Sequence, residues 1–515
     1  MQAFSRSRSS QRGGTLVLVM MMLPLFMVPL IGLGIDATML YIVQAKLSAA
    51  VDGAALGAGR LLGTNANTRE IAGEFLNVNF PAAYWGSRNL TPDIVVTNTL
   101  GTHKIQVNAT VDVPLLFMRV LGTTSTTVAA NATATRQDTR VVLVLDRSNS
   151  MNTTDPISHL NVFTAMKASA NQFTGMFTPG TDELGLVVFG GSSFVAYPAE
   201  ALPFSTDPHS SGGPDTSFGT SSTAGPMFDQ ITATTAGGGT SMAEALTFAY
   251  IELQKAHYHD ISTGSDNRLN AIVLFTDGVP SVMAVNPNDN SNLPTSNALK
   301  STSGCTYNPE NANANTHMRG WVGAPNSPPG WGTSQGMYLV GAYDTGHNLS
   351  YWLSHPTADQ TTSNPSNAIS NCAGLGRNSN YNLNDLAKVP PLDIYGNSTD
   401  GTGYVNSSLA YDGTNYDRTK PTVGYHLALG IWNATDNVGR TIRSQTAMNP
   451  VTIFTIGYTG NGGTDAGLLK RLANTQDSSS YDVGQQTGQY YEVHSADQLS
   501  GAFAAVASSL LRLAK

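Results

Sequence analysis

Residues 141–150 read VVLVLDRSNS. The first six form an apolar run that ends in an acid. A strand in the middle of a parallel sheet needs such a run, because both of its faces meet helices rather than water. Working outward, residues 159–176 (HLNVFTAMKASANQFTGM) carry apolar side chains at helical spacing. ELGLVVFG (183–190) and SSFVAYP (192–198) read as two short strands close enough for a hairpin. GGGTSMAEALTFAYIEL (237–253) sets a glycine loop and Thr240 ahead of a helix. NAIVLFTDG (270–278) is a second buried strand, ending at Thr276-Asp277-Gly278, and PVTIFTIGY (450–458) is a third. Residues 426–445, 468–474 and the tail from Asp497 to Leu513 read as helices. Buried strands alternating with helices predict an α/β fold with an open, doubly wound, Rossmann-like sheet.

Ligands of such sheets bind outside the carboxyl ends of the strands. Asp146, Ser148, Ser150, Thr240 and Asp277 all fall at those ends or in the loops that follow. They are oxygen donors of the kind hard cations take. Carboxylates bring charge, hydroxyls bring small neutral oxygens, and Mg²⁺ keeps waters and open positions beside them. Without a metal, Asp146 and the serines would cap the helix that follows and Asp277 would sit in a turn. DxSxS alone arises often in a Ser- and Asp-rich chain. DxSxS after a buried strand, GGGT before a helix and LFTDG after another buried strand, in that order, is a specific pattern.

That pattern resembles the metal-ion-dependent adhesion site of the von Willebrand factor A domain, over residues 138–278 and 424–515. The resemblance implies that Ser148, Ser150 and Thr240 contact Mg²⁺ or Mn²⁺. It implies that Asp146 and Asp277 complete the shell, often through water, and that an open position accepts a carboxylate from a partner protein.

Residues 15–35 (TLVLVMMMLPLFMVPLIGLGI) contain no charge and are long enough to cross the hydrocarbon core as a helix, which Pro24 and Pro29 should kink. Arg6, Arg8 and Arg12 precede the run and Asp36 follows it, so residues 1–14 are expected in the cytoplasm and the rest outside. A cleaved signal peptide is the competing reading. Gly32-x-Gly34 mimics a cleavage site, although the apolar run exceeds the usual length. The helical pattern continues through residues 36–60, where Leu40, Val43, Leu47, Val51, Ala54 and Ala58 share one face. That face packs either on its own domain or on a like subunit or envelope partner. Period-two alternation in 93–100, 103–113 and 126–136 predicts three strands, with a short helix at 114–122, as a meander on the long helix.

The stretch from Arg12 to Arg60, with its span, GLGIDATMLYIVQAKLSAAVDGAALGAGR and following strands, resembles the TadE/TadG-like proteins of bacterial tight-adherence (Flp) pilus assembly. No acidic residue occurs between Gly13 and Asp36, unlike the processed pseudopilins of that system. The resemblance therefore implies a permanently anchored, inner-membrane protein with its bulk periplasmic or extracellular.

The predicted organisation is a cytoplasmic tail (1–14), a transmembrane helix (15–35), a TadG-like helix with strands (36–137) and a von Willebrand A domain (138–515). That domain is interrupted by insertions at 199–228 and 281–423. The second insertion holds 21 Asn and the tryptophans Trp321, Trp331 and Trp352. It leaves the loop after Asp277, so it either covers the metal rim or decorates another surface. Cys305 and Cys372 lie within it. Outside the cytoplasm a disulfide is natural, and two free thiols are the alternative.

The net charge of −8 excludes a generally basic nucleic-acid binder. Charged residues make up 12% and hydrophobic ones 41%, a composition with enough apolar material for a core and so against wholesale disorder. His257-Tyr258-His259-Asp260 offers metal-ligand residue types, but it follows a helix expected to end near Ala256, where histidines more often complement the helix C-terminus. No nucleophile–base arrangement is evident, and the glycines at 237–239 lack the lysine of a phosphate loop. The expectation is a non-enzymatic protein that binds pilus or envelope components, either by metal-dependent adhesion or as a scaffold in which metal only stabilises the fold.

Overall fold

The computed structural model describes residues 12–63, 66–99, 101–200, 205–219, 224–264, 266–285, 424–461 and 463–513. Between 306 and 418 it describes short pieces, the longest being 391–402. The chain divides into two compact units, with the boundary between Arg136 and Gln137.

In the first unit a single helix, α1 (Arg12–Gly59), runs through Pro24 and Pro29 and on past Asp36. Its second half buries Val43, Leu47, Val51, Ala54 and Ala58 of the predicted apolar face and leaves Leu40 half-buried. They pack within this unit, against Ala72 and Leu76 of α2 (Thr68–Asn79) and the sheet. Helix α2 is not among the predicted elements, yet its start is legible. Asn67 caps it by accepting through Oδ1 from the Glu70 backbone amide at 3.4 Å, and the Asn67 side-chain Nδ2 donates to the Glu70 carboxylate at 2.9 Å. Strands β1 (Arg88–Thr99), β2 (Thr102–Pro114) and β3 (Ser125–Gln137) form a sheet in that order. Alternate residues of β2, from Ile105 to Val113, face the helices. A short 3₁₀ turn, Met118–Leu121, stands where the sequence predicts a helix at 114–122.

The second unit is built on a six-stranded sheet. Its strands are β4 (Thr139–Asp146), β5 (Glu183–Phe189), β6 (Ser193–Tyr197), β7 (Leu269–Thr276), β9 (Val451–Tyr458) and β10 (Tyr490–Val493), in the order β10-β9-β7-β4-β5-β6. All neighbours are parallel except β6, which pairs antiparallel with β5 as the hairpin reading expects. Every residue of β4 and β9 is buried, which accounts for their continuous apolar sequences.

Right-handed crossovers place the helices. The chain moves one way through α3 (Val162–Thr174) to β5, and the opposite way through α5 (Met242–Thr263), α6 (Gly424–Ser444) and α7 (Ala466–Ala473). These two sets therefore cover opposite faces. Helix α8 (Leu499–Leu513) returns to α3, where Phe503 meets Phe173 at 6.0 Å between ring centroids. Edge strand β10 is not among the predicted elements.

Helix α5 does not stop near Ala256 but continues to Thr263. His257 is consequently not a C-terminal cap. It is buried, with Nδ1 2.6 Å from Asp266. Asp266 belongs to a buried charge cluster at the amino end of the sheet. There Arg140 bonds Glu183 at 2.6 Å, Asp260 at 2.6 Å and Asp266 at 3.0 Å, and Arg268 joins Asp260 and Glu183.

The first insertion is a loop through its described part, where Asp215 bridges Leu184 and Phe218 is buried. Its last residues begin α4 (Pro226–Ala233). The second insertion opens with β8 (Val282–Val285), which pairs antiparallel with residues 320–323. Residues 391–402 return along α5 and α6. Tyr395 donates to Glu244 at 2.8 Å, Asn397 to Thr247 at 3.0 Å, and Asn433 to the Thr399 carbonyl at 3.1 Å. Cys305, Cys372, Trp331 and Trp352 lie outside the described residues, so the pairing of the cysteines does too.

Candidate metal centre

Strands β4 and β7 are adjacent and parallel, so their carboxyl ends deliver Asp146 and Asp277 to one place. Both acids are fully buried. The turn after β4 carries Ser148 and Ser150, whose hydroxyl oxygens lie 3.0 Å apart. Ser150 Oγ donates to Asp277 Oδ1 at 2.8 Å, and Ser148 Oγ approaches the same oxygen at 3.4 Å. The Ser148 amide donates to Asp146 Oδ1 at 2.7 Å, which folds the turn over the acid.

Thr240 arrives from the loop before α5. A Cβ built on Gly278 would lie 3.6 Å from Thr240 Oγ1 and 3.9 Å from Ser150 Oγ, so the two hydroxyls flank the backbone just after Asp277. The glycine loop makes this approach possible. Gly237 and Gly238 have φ of +156° and +94°, values that L side chains rarely adopt. From there Gly238 accepts from the Asn149 amide at 3.0 Å, and the Gly237 amide donates to the Arg147 carbonyl at 2.6 Å. The loop of Thr240 is thereby stitched to the loop of the serines.

Burial pushes the Asp146 carboxyl up to about 6, against hydrogen bonds from Ser148 and Thr276 that favour its charge. Burial and the neighbouring Asp146 charge push Asp277 up as well. The hydrogen-bond donors described at these two acids, Ser148, Ser150, Thr276 and Asn461, are all neutral.

This donor set fits a hard divalent cation. Ligands about 2.1 Å from Mg²⁺ in an octahedron stand about 3 Å from one another, and the serine hydroxyls have that spacing. Two buried carboxylates, with no cationic partner among the described residues, supply the charge such an ion neutralises. Among the described residues no three His, Cys, Asp or Glu side chains converge. The remaining donors here are hydroxyls.

Three further residues shape the site and are absent from the sequence reading of it. Thr276 donates to Asp146 Oδ2 at 2.6 Å. Asn461, in the loop after β9, donates to Asp277 Oδ2 at 2.7 Å. Ser281 accepts from the Thr240 amide at 3.0 Å. Thr276 stands in the LFTDG motif itself, and Asn461 follows a buried strand, so the strand-end rule was the available signal for both. The second insertion also reaches the site's first loop, where the Leu353 carbonyl accepts from Arg147 Nη1 at 3.4 Å and from the Thr235 amide at 3.0 Å.

The strand order and the strand-end acids define a von Willebrand factor type A fold, and the family model of that domain matches residues 141–279. The match lies in the middle of the chain rather than at its C-terminus. The same sheet continues through β9 and β10, beyond the second insertion. The family model described as Flp pilus-assembly TadE/G-like matches residues 13–61, and that described as Tad-like Flp pilus-assembly matches 44–134. The chain thus carries a segment similar to Tad-like pilus-assembly proteins, followed by a region similar to the von Willebrand factor type A domain.

Solved structures similar to it include the PilB minor pilin from Streptococcus sanguinis, at 13% identity, covering 84% of this chain and 80% of that one, with TM-score 0.32. The vWF domain of the type V pili tip protein Mfa5 from Porphyromonas gingivalis is 16% identical over 74% of this chain and 97% of that one, with TM-score 0.31. The pilus adhesin SpaC from Lactobacillus rhamnosus GG is 12% identical over 82% of this chain and 34% of that one, with TM-score 0.32. The likeness is remote, and the assignment rests on strand order and the family match. No curated protein matches the chain.

Proposed function

We propose that the protein is a membrane-anchored, non-enzymatic component of the bacterial envelope that binds protein partners through Mg²⁺ or Mn²⁺, in tight-adherence pilus assembly or surface attachment. Asp146, Ser148, Ser150, Thr240 and Asp277 hold the ion. The observation that carries this is the convergence of two buried acids and two hydroxyls 3.0 Å apart at the carboxyl ends of adjacent strands. When bound, the ion offers an open position to an anionic oxygen, and a partner's carboxylate is the natural occupant. Ser150 is exposed, so the serine loop is where a partner gains access. The apolar start of α1 supports anchoring through residues 15–35, with the N-terminus cytoplasmic and the bulk outside the inner membrane.

Calorimetric titration of Mg²⁺ and Mn²⁺ into the full-length protein in detergent tests the site. Saturable one-site binding, lost in Asp146→Ala and Asp277→Ala, is expected. A folded wild type that takes up neither ion would overturn the reading.

One contact favours a second reading, a scaffold in which metal only stabilises the fold. Asn461 already occupies Oδ2 of Asp277. Surface attachment by cells carrying Asp146→Ala separates the two. Attachment lost with normal folding and localisation supports metal-dependent binding, and unchanged attachment supports the scaffold.

A further inference from the structure

Among the features of the first unit outside the metal centre is a loop of exposed apolar side chains. Between β2 and β3 the chain reads Leu115-Leu116-Phe117-Met118-Arg119-Val120. Val120 is 88% exposed and Leu116 60%, with Phe117 and Arg119 exposed beside them. The loop is fixed against α1 at two points. At Gly32 the Phe117 ring lies directly on the helix backbone, where a Cβ would come within 2.5 Å of Phe117 Cγ. One turn later the buried Asp36 carboxylate accepts from the amides of Leu116, Phe117 and Met118 at 2.9, 3.0 and 2.8 Å.

Those contacts set a level. With residues 15–35 in the hydrocarbon, Gly32 lies about 4–5 Å inside its outer boundary at 1.5 Å per helical residue. The exposed apolar side chains of the loop then stand at the level of the end of the span, where Leu30, Ile31 and Leu33 are also exposed. The backbone is prepared for such a place. An amide buried in lipid must have its partner within the protein. Here Asp36 takes three, while the amides of Leu115, Val120, Gly122 and Thr123 bond to Thr124, Phe117, Arg119 and Met118. Arg119 is exposed and supplies a cationic side chain long enough to reach the headgroups from that level.

We propose that the Leu116–Val120 loop is a second membrane contact, entering the leaflet next to the end of the span and holding the first unit against the bilayer. The proposal rests on the anchoring of residues 15–35. Its occupant is lipid.

The test uses full-length protein reconstituted in phosphatidylcholine–phosphatidylglycerol vesicles, with Val120→Trp and, separately, Phe26→Trp, each read as emission added over wild type. Lipids brominated near the headgroup end of the acyl chain should remove more than half of the emission added by Val120→Trp, and aqueous iodide should leave it unchanged. If iodide quenches it and bromolipid does not, while bromolipid quenches Phe26→Trp, the chain is anchored but the loop is in water, and the proposal fails. If neither agent reaches Val120→Trp while bromolipid quenches Phe26→Trp, a protein surface covers the loop, and the lipid assignment is wrong. If bromolipid reaches neither, the anchoring itself fails and the proposal with it.

Discussion

The hydroxyl of Thr276 donates to Oδ2 of Asp146 across 2.6 Å, joining the last residue of β7 to the last residue of β4. Asp277 follows Thr276 directly, so this bond aims one acid while the chain places the other. Partners that orient metal ligands typically account for 10–100-fold in affinity. Thr276→Val keeps the shape and removes the donor. It should weaken Mg²⁺ binding by about that factor in calorimetry and leave the far-ultraviolet circular dichroism spectrum unchanged. An unaltered dissociation constant would show that Asp146 needs no such partner.

Metal should stabilise the second unit. Asp146 and Asp277 are buried, and the charge of Asp146 raises the pKa of Asp277. A divalent cation relieves that repulsion in the folded state alone. At 100 times its dissociation constant a ligand adds about 2.7 kcal/mol. Thermal unfolding of the full chain should therefore rise by several degrees with Mg²⁺ and fall with chelator. The Asp277→Ala protein should respond to neither.

Asp155 gives a pH dependence of its own. Burial alone would raise its pKa, but hydrogen bonds from Ser158, Tyr458 and Ser495 outweigh burial and hold the carboxyl well below its ordinary range. A depressed folded-state pKa contributes stability that is present in full above the unfolded value of about 4. That stability is lost as pH falls toward the folded value. In urea unfolding, wild type should exceed Asp155→Asn at pH 7, and the gap should narrow below about pH 4. A gap independent of pH would mean that the charge of Asp155 contributes nothing.

The charge cluster at the opposite end of the sheet should be sensitive to losing its centre. Arg140 is buried and bonds Glu183, Asp260 and Asp266. Arg140→Met leaves those carboxylates short of a cation, and breaking a buried pair in this way costs about 3–5 kcal/mol. Equilibrium unfolding should show that loss, while Mg²⁺ affinity measured under native conditions stays near wild type.

Much of this molecule is legible without coordinates. The runs at 141–146, 270–276 and 450–458 contain no polar face, and only a sheet covered on both sides satisfies such a strand. The alternation of runs and helices then implies parallel order, and parallel order puts the residues after each run at one edge. Asp146, Ser148, Ser150 and Asp277 could be named for that reason, since each is adjacent in the chain to the strand that carries it. The elements missing from the sequence reading, α2, α4, β8 and β10, are short or have weaker local signals. Helix α2 is polar over much of its length, and β10 is a four-residue edge strand with one buried side chain.

What the tertiary structure decided are the pairings between residues far apart in the chain. Asn461 on Asp277, Leu353 on Arg147, Ser495 on Asp155 and Asp36 beneath the Leu116–Met118 amides are of this kind. Local periodicity reports which face of a segment avoids water. It carries no information on which donor, up to 340 residues away in the case of Ser495 and Asp155, will fill an acceptor. That choice is made by strand order and crossover handedness, which bring distant loops to the same edge only once the whole sheet is assembled.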